Sequence, residues 1–313
     1  MARLPAAEKL PLALRKNVRD EWENNKADLE SQLSEVLGTA WTIEVNPLAI
    51  WPYHNDGYAK ESLGSCIKAY VEGAIYQLKY QSSKHGDEYK TEINTICSAH
   101  LLTLDLEETS PARFSYGGCD VHDGQLRILF VEGSLGTNID DCLSEDKLTA
   151  ALNAAPSDAP LSFVARTSIR ADYDPKIGEV REQIATLLGQ RAEDVKLNAN
   201  FDANFAALDA ARKAGDSSVR EDWEGNLGSF TLQYFEGLAY QMKDIKVGED
   251  EMVQEGVLEA VSSNEYAFRV VDKLKNETYC EVEIEEGVLY LQCTPGYFGT
   301  NVNDAAAKLM DKL

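Results

Sequence analysis

Residues 62–80 read SLGSCIKAYVEGAIYQLKY, and residues 226–244 read NLGSFTLQYFEGLAYQMKD. Aligned without a gap, nine of the nineteen positions are identical: Leu63/Leu227, Gly64/Gly228, Ser65/Ser229, Tyr70/Tyr234, Glu72/Glu236, Gly73/Gly237, Tyr76/Tyr240, Gln77/Gln241 and Lys79/Lys243. Downstream, GSLGTN at 133–138 answers GYFGTN at 296–301. Upstream, ADLESQLSEVLG at 27–38 answers GEVREQIATLLG at 178–189. Three matches in the same order mark an internal duplication. The first repeat is expected over 1–152 and the second over 163–313. A linker at 153–162 contains NAAPSDAP, whose prolines and small residues signal a boundary.

Each repeat reads the same way. A helix ends at Gly38 or Gly189, residues suited to the left-handed position after a helix. A strand segment follows, WTIEV at 41–45 and VKLN at 195–198. A second helix is expected to end at Gly73 or Gly237. Beyond it, alternation puts Tyr76, Leu78 and Tyr80 on one face of a strand with Gln77 and Lys79 on the other. The second repeat places Tyr240 and Met242 against Gln241 and Lys243. A further strand is expected near 88–99 and 251–262. Asp123-Gly124 is a strong two-residue hairpin turn, and Glu286-Gly287 takes its place in the second repeat. That turn sets Cys119 opposite Ile128 and Val121 opposite Leu126, with Val282 facing Leu291 and Ile284 facing Leu289. Short helices at 139–152 and 302–313 close the repeats. The expected fold is α+β, a tandem of helix-plus-four-stranded-antiparallel-meander units, with one continuous sheet around a pseudo-twofold axis as a possible join.

Composition narrows the function. The 313 residues carry 30 basic and 53 acidic side chains, a net charge of −23. Such a surface repels phosphate backbones and anionic lipids, which argues against nucleic acid and membrane as partners. No run approaches the roughly 18 apolar residues a membrane helix requires. The first residues, MARLPAAEKLPLALRK, are too charged for a secretory signal. Six scattered cysteines fit a reducing cytoplasm.

Chemistry-bearing motifs are few. His54, His85, His100 and His122 all lie in the first repeat, so an activity shared by both repeats would not use them. Cys97-x-x-His100 and Cys119-x-x-His122 suggest zinc, but residues three apart on a strand point to opposite faces. Val261 and Val282 match the two cysteines, which reads them as core. Cys280 and Cys293 face each other and are expected to be free thiols. GSLGTN lacks the spacing of a phosphate loop, and Asp140 and Asp141 would repel phosphate. Asn138 and Asn301 read instead as helix N-caps. Ser65 and Ser229 sit beside glycines where helices pack closely. No catalytic, cofactor-binding or metal-binding set emerges, and no cofactor is expected. The repeated Gln77/Lys79 and Gln241/Lys243 are the candidate interaction surface.

The stretch AYVEGAIYQLKYQSSKHGDEYKTEINTICSAH at 69–100, with Asp123-Gly124 beyond it, resembles the core of the F-actin capping protein α subunit. YFEGLAYQMKD at 234–244 is similar to the corresponding segment of the β subunit. The resemblance spans about half the chain and implies both subunits fused, a heterodimer-like pairing of sheets, and a cytoskeletal partner at the actin filament end. Met310–Leu313 follow the closing helix directly, so the family's C-terminal extensions are not expected. The resulting expectation is a non-enzymatic, cytoplasmic protein-interaction module. The acidity points alternatively to a chaperone or assembly adaptor for a basic client. A third class is a small-molecule-binding protein or enzyme using a cleft between the repeats.

Overall fold

The computed structural model describes residues 3–313 and divides the chain into two units, one up to Asp158 and one from Ala159. In the first, α1 (Leu12–Asn17) runs into a five-residue π-helical turn, Val18–Trp22, and then α2 (Lys26–Leu37). Gly38 ends α2 at φ +73°, the left-handed conformation glycine adopts without a Cβ penalty. After β1 (Thr42–Glu44) come single turns α3 (Pro47–Ile50) and α4 (Tyr58–Glu61). Two longer helices follow, α5 (Leu63–His85) and α6 (Asp87–Ile96), and then β2 (Leu101–Leu106), β3 (Gly117–His122), β4 (Gln125–Phe130) and α7 (Glu145–Ala154).

The second unit has α8 (Phe163–Ser168), another π-helical turn at Ile169–Tyr173, α9 (Ile177–Leu188), β5 (Lys196–Asn198) and α10 (Phe201–Lys213). Then come α11 (Leu227–Asp244), α12 (Glu251–Ala260), β6 (Glu265–Val270), β7 (Cys280–Glu285) and β8 (Val288–Cys293). The chain is therefore mixed α+β.

Both hairpins form in the expected register, with Cys119 opposite Ile128 and Val282 opposite Leu291. Their turns carry two successive left-handed residues, Asp123 and Gly124 at +50° and +70°, and Glu286 and Gly287 at +52° and +78°, which suits the twist of the flanking strands. The sheets are mixed, not antiparallel meanders. Strand order is β1-β2-β4-β3 in one unit and β5-β6-β8-β7 in the other. Only the hairpin pairs are antiparallel; β1 with β2, β2 with β4, β5 with β6 and β6 with β8 run parallel. Parallel neighbours require a long crossover, which α5–α6 and α10–α12 supply. Within each unit the pairings make a sheet of four strands.

The strands expected at 76–80 and 240–244 are helix, because a longer period overrides the short alternation. Val71, Ala74, Ile75, Leu78 and Ser82 are buried along α5, spaced three and four apart, while Tyr76 and Tyr80 are exposed. Gly73 and Gly237 accordingly lie inside helices rather than ending them. Segments 88–99 and 251–262 are mostly the helices α6 and α12, whose inward residues Tyr89, Ile93 and Val257 keep a helical spacing. The true inner strands, β2 and β6, follow them. The closing segment 139–152 splits into a 3₁₀ turn and α7, while 302–313 contains only two 3₁₀ turns.

One long helix anchors each core. At Gly64 an added Cβ would stand 2.4 Å from the Asn17 carbonyl oxygen, and at Gly228 the same 2.4 Å from that of Ser168. Both glycines let the segment entering the π-helical turn lie directly on α5 or α11. Their amides donate to that segment, Gly64 N to Asn17 Oδ1 at 2.7 Å and Gly228 N to Ser168 Oγ at 3.0 Å. Ser65 Oγ accepts a further bond from Asn17 Nδ2 at 3.1 Å. Tyr234 stacks on Phe268 at 4.3 Å in the second core.

Candidate interaction surface

The residues shared by 62–80 and 226–244 sort into those with a packing role and those without one. Leu63, Gly64, Tyr70 and Gly73 are buried, as are Leu227, Gly228, Tyr234 and Gly237. Tyr70 Oη accepts from Gly136 N at 2.9 Å, inside the GSLGTN loop, and Tyr234 lies beside Gly299 in the matching loop. Gly73 and Gly237 admit the turn that follows. A Cβ at Gly73 would meet Asp140 Oδ1 at 3.3 Å, and one at Gly237 would meet the Val302 carbonyl at 2.8 Å.

Gln77 and Gln241 belong to this clamp. Gln77 Nε2 donates to the Asp140 carbonyl at 3.1 Å, and Gln241 Nε2 to the Asn303 carbonyl at 3.0 Å. The matched glutamines thus tie each glycine-rich loop to its long helix. The loops bear out their turn character but not the expected caps. Asn138 and Asn301 sit at φ +49° and +51° and accept no capping hydrogen bond. A short polar side chain tolerates this left-handed geometry better than most, which explains asparagine at both places.

Ser65 Oγ is bonded by Asn17 Nδ2 and Ser229 Oγ by Gln233 Nε2, each at 3.1 Å, and three shared residues remain with no packing role. Glu72, Tyr76 and Lys79 are exposed on α5, and Glu236, Tyr240 and Lys243 are exposed on α11. Offsets of four and seven residues put each trio on one helical stripe. Tyr76 is 66% exposed and Tyr240 63%, so each offers most of an aromatic ring to solvent. Glu72 makes only a long ion pair with Lys68, at 3.8 Å. Lys79 also borders a cavity of about 520 Å³ with Gln32, Ser82 and Lys90. The four expected residues therefore divide: the lysines stand on the stripes and the glutamines brace the adjoining loops. The tyrosines and glutamates were hidden by reading the segment as a strand. A helical wheel with identities marked outside the apolar face brings them out.

The remaining candidates are placed as follows. Cys97 and Cys119 are buried, as are Val261 and Val282 at the matching positions. Cys97 caps α6 rather than lying on a strand. His100 packs against Trp41, with Nε2 3.2 Å from the Asn94 carbonyl, while His122 is exposed. Among the described residues no three His, Cys, Asp or Glu side chains are grouped to hold a metal ion. All six cysteines are free and buried, including Cys280 and Cys293, which pair in register. Burial pushes the thiols of Cys66, Cys97, Cys142, Cys280 and Cys293 up to about 12, so they are not thiolate nucleophiles near neutrality. Among the described residues no helix is long and apolar enough to cross a membrane.

The outer face of each sheet carries ion pairs. Asp120 receives Arg127 and Arg113 at 2.7 and 2.8 Å. Burial raises the Asp120 carboxyl, but the two guanidinium hydrogen bonds outweigh it and hold it below its ordinary range. In the second unit Arg269 lies 3.9 Å over the Tyr290 ring and pairs with Glu285 at 2.9 Å. These charges neutralise one another, as structural networks do.

No protein family, no curated protein and no solved structure matches this chain.

Proposed function

We propose that the chain is a non-enzymatic, cytoplasmic protein-interaction module. In this reading it consists of two copies of one α+β unit, and the stripes Glu72-Tyr76-Lys79 and Glu236-Tyr240-Lys243 are its matched contact surfaces. The observation that carries the reading is identity at exposed positions. Core residues repeat because packing dictates them, but nothing in the fold dictates an exposed Glu, Tyr and Lys twice. Tyrosine flanked by charge is a composition that protein interfaces favour.

The duplication is supported by the shared strand order, the paired π-helical turns and the equal approach of backbone to Gly64 and Gly228. Six reduced, buried thiols favour a reducing compartment. The partner is the actin filament end, on the resemblance of 69–100 and 234–244 to capping protein. The net charge of −23 supports a second reading, an adaptor for a basic client.

Seeded actin elongation with free barbed ends tests the first reading. Substoichiometric inhibition by the wild type, lost in a Tyr76→Ala/Tyr240→Ala variant, is the expected result. No inhibition at micromolar protein removes actin as the partner, and undiminished inhibition by the variant removes the stripes as the contact.

A further inference from the structure

The stretch Lys9–Arg19 holds four cations, Lys9, Arg15, Lys16 and Arg19, and no carboxylate, in a chain whose net charge is −23. It forms one wall of a groove of about 1110 Å³ in the first unit, whose opposite wall is Asn46, Pro47 and Leu48. The groove is built rather than incidental. Ala7 N donates to the Leu48 carbonyl at 2.9 Å, and Leu4 N to Tyr53 Oη at 2.7 Å. Arg3 is pinned to Asp105 at 2.6 Å. These ties hold the segment before α1 against the α3 region and leave a channel between them.

The lining pairs apolar surface with unneutralised positive charge. Leu10, Leu12, Pro47 and Leu48 supply the apolar part, and Leu12 is 73% exposed. Arg19 pairs with Asp20, but Lys9, Arg15 and Lys16 form no ion pair with any described residue. Glu8 and Glu23 also border the groove, so its lining carries four positive charges against two negative ones. Carboxylates outnumber cations almost twofold in the chain, yet among the described residues none forms an ion pair with these three, and only Asp20, already held by Arg19, lies near enough to Lys16 to feel its charge.

We propose that this groove binds an acidic protein segment carrying a leucine-like apolar anchor. Charge complementarity selects the partner's sign, and the exposed Leu12 beside Pro47 and Leu48 selects the anchor. A screening length of about 8 Å at physiological salt lets the local cations act on a docked segment while the distant acidic surface is damped. The concave shape favours a chain segment over a lipid surface, since Leu10 and Leu14 are buried and only Leu12 projects. The proposal is independent of the tyrosine stripes.

The test uses the full chain and a short fluorescent peptide of alternating Glu and Leu, followed by anisotropy. An all-Glu peptide and vesicles containing phosphatidylserine serve as comparisons. Because Lys9, Leu12, Arg15 and Lys16 are exposed, the variants K9E/R15E/K16E and Leu12→Asp should fold, which circular dichroism checks. The expected result is micromolar binding of the Glu-Leu peptide that salt weakens. The triple reversal should weaken it by about tenfold or more, with a smaller loss for Leu12→Asp and weaker binding of all-Glu. Equal binding by the charge-reversed protein overturns the proposal, as does equal binding of the all-Glu peptide or an absence of peptide binding. Vesicle binding without peptide binding overturns it too, and assigns the cations to a lipid surface.

Discussion

Gly64→Ala tests the packing on which each unit rests. The new Cβ would lie 2.4 Å from the Asn17 carbonyl oxygen and 2.6 Å from Val18 Cα. Ordinary contact begins near 3.4 Å, so the segment entering the π-helical turn must retreat by about 1 Å. The obstructing atoms are main chain, and no rotamer change relieves them. Overpacking of this kind costs roughly 1–3 kcal/mol. The retreat also stretches the Gly64 N to Asn17 Oδ1 bond, worth about 1 kcal/mol. Against these stands the helix-propensity gain of Ala over Gly, about 1 kcal/mol. A net loss of about 2 kcal/mol remains, which for a unit of roughly 150 residues lowers its Tm by ~4–8 °C. Thermal unfolding followed by circular dichroism and by the fluorescence of Trp22, which ends that turn, measures it. Gly228→Ala should behave alike, since its Cβ meets the Ser168 carbonyl at the same 2.4 Å. Gly178→Ala, with nothing within 4 Å, should instead gain about 0.5–1 kcal/mol. If Gly64→Ala is as stable as Gly178→Ala, the close approach described here is wrong.

Gln81 is fully buried, accepting from Tyr89 Oη at 2.8 Å and donating to the Leu143 carbonyl at 3.0 Å. Gln81→Leu roughly keeps the volume but removes both of these buried hydrogen bonds, so urea unfolding should show a loss of about 1–3 kcal/mol. Native protein should leave all six thiols unreacted with a disulfide reagent at mild alkaline pH and yield six per chain once unfolded; rapid native labelling would contradict their burial. Hydrogen bonds from Arg269, and then Lys275, hold the Glu285 carboxyl at about 2 against an ordinary 4.5. A depressed carboxyl stabilises the fold above its unfolded value and loses that contribution as pH falls from about 4.5 toward 2. Glu285→Gln should therefore flatten this acid limb in a pH series of urea titrations, by a modest amount because the group is 40% exposed. An unchanged slope would show that the pair contributes nothing.

What the sequence disclosed was what neighbouring residues decide. Asp123-Gly124 and Glu286-Gly287 specify their turns and hence the hairpin register, and Gly38 and Gly189 specify helix ends, because a left-handed backbone is a local demand. The run from Tyr76 to Tyr80 misled because tyrosine counts as apolar in a pattern while its ring stands in solvent. Over five residues alternation and helical period are hard to separate, and only the burial of Val71, Ala74, Ile75 and Leu78 over two turns decides between them. The pairing of Thr42 with Leu101 joins residues separated by the whole α5–α6 crossover, and no local pattern encodes such a partner. Gly73 and Gly237 look like helix ends by composition, yet they are helix interiors kept small for a loop that arrives from far along the chain. The Glu-Tyr-Lys stripes were legible as identities but not as a surface, because seeing the surface required the helix.

A photo-crosslinking residue at Tyr76, at Tyr240 and, as a control, at Tyr279, which is 44% exposed, would locate the contact on the intact chain. Mixed with short actin filaments and irradiated, the first two proteins should each form an adduct with actin and the third should not. Adducts at neither stripe, or at Tyr279 alone, would contradict the assignment of these stripes as the interaction surface.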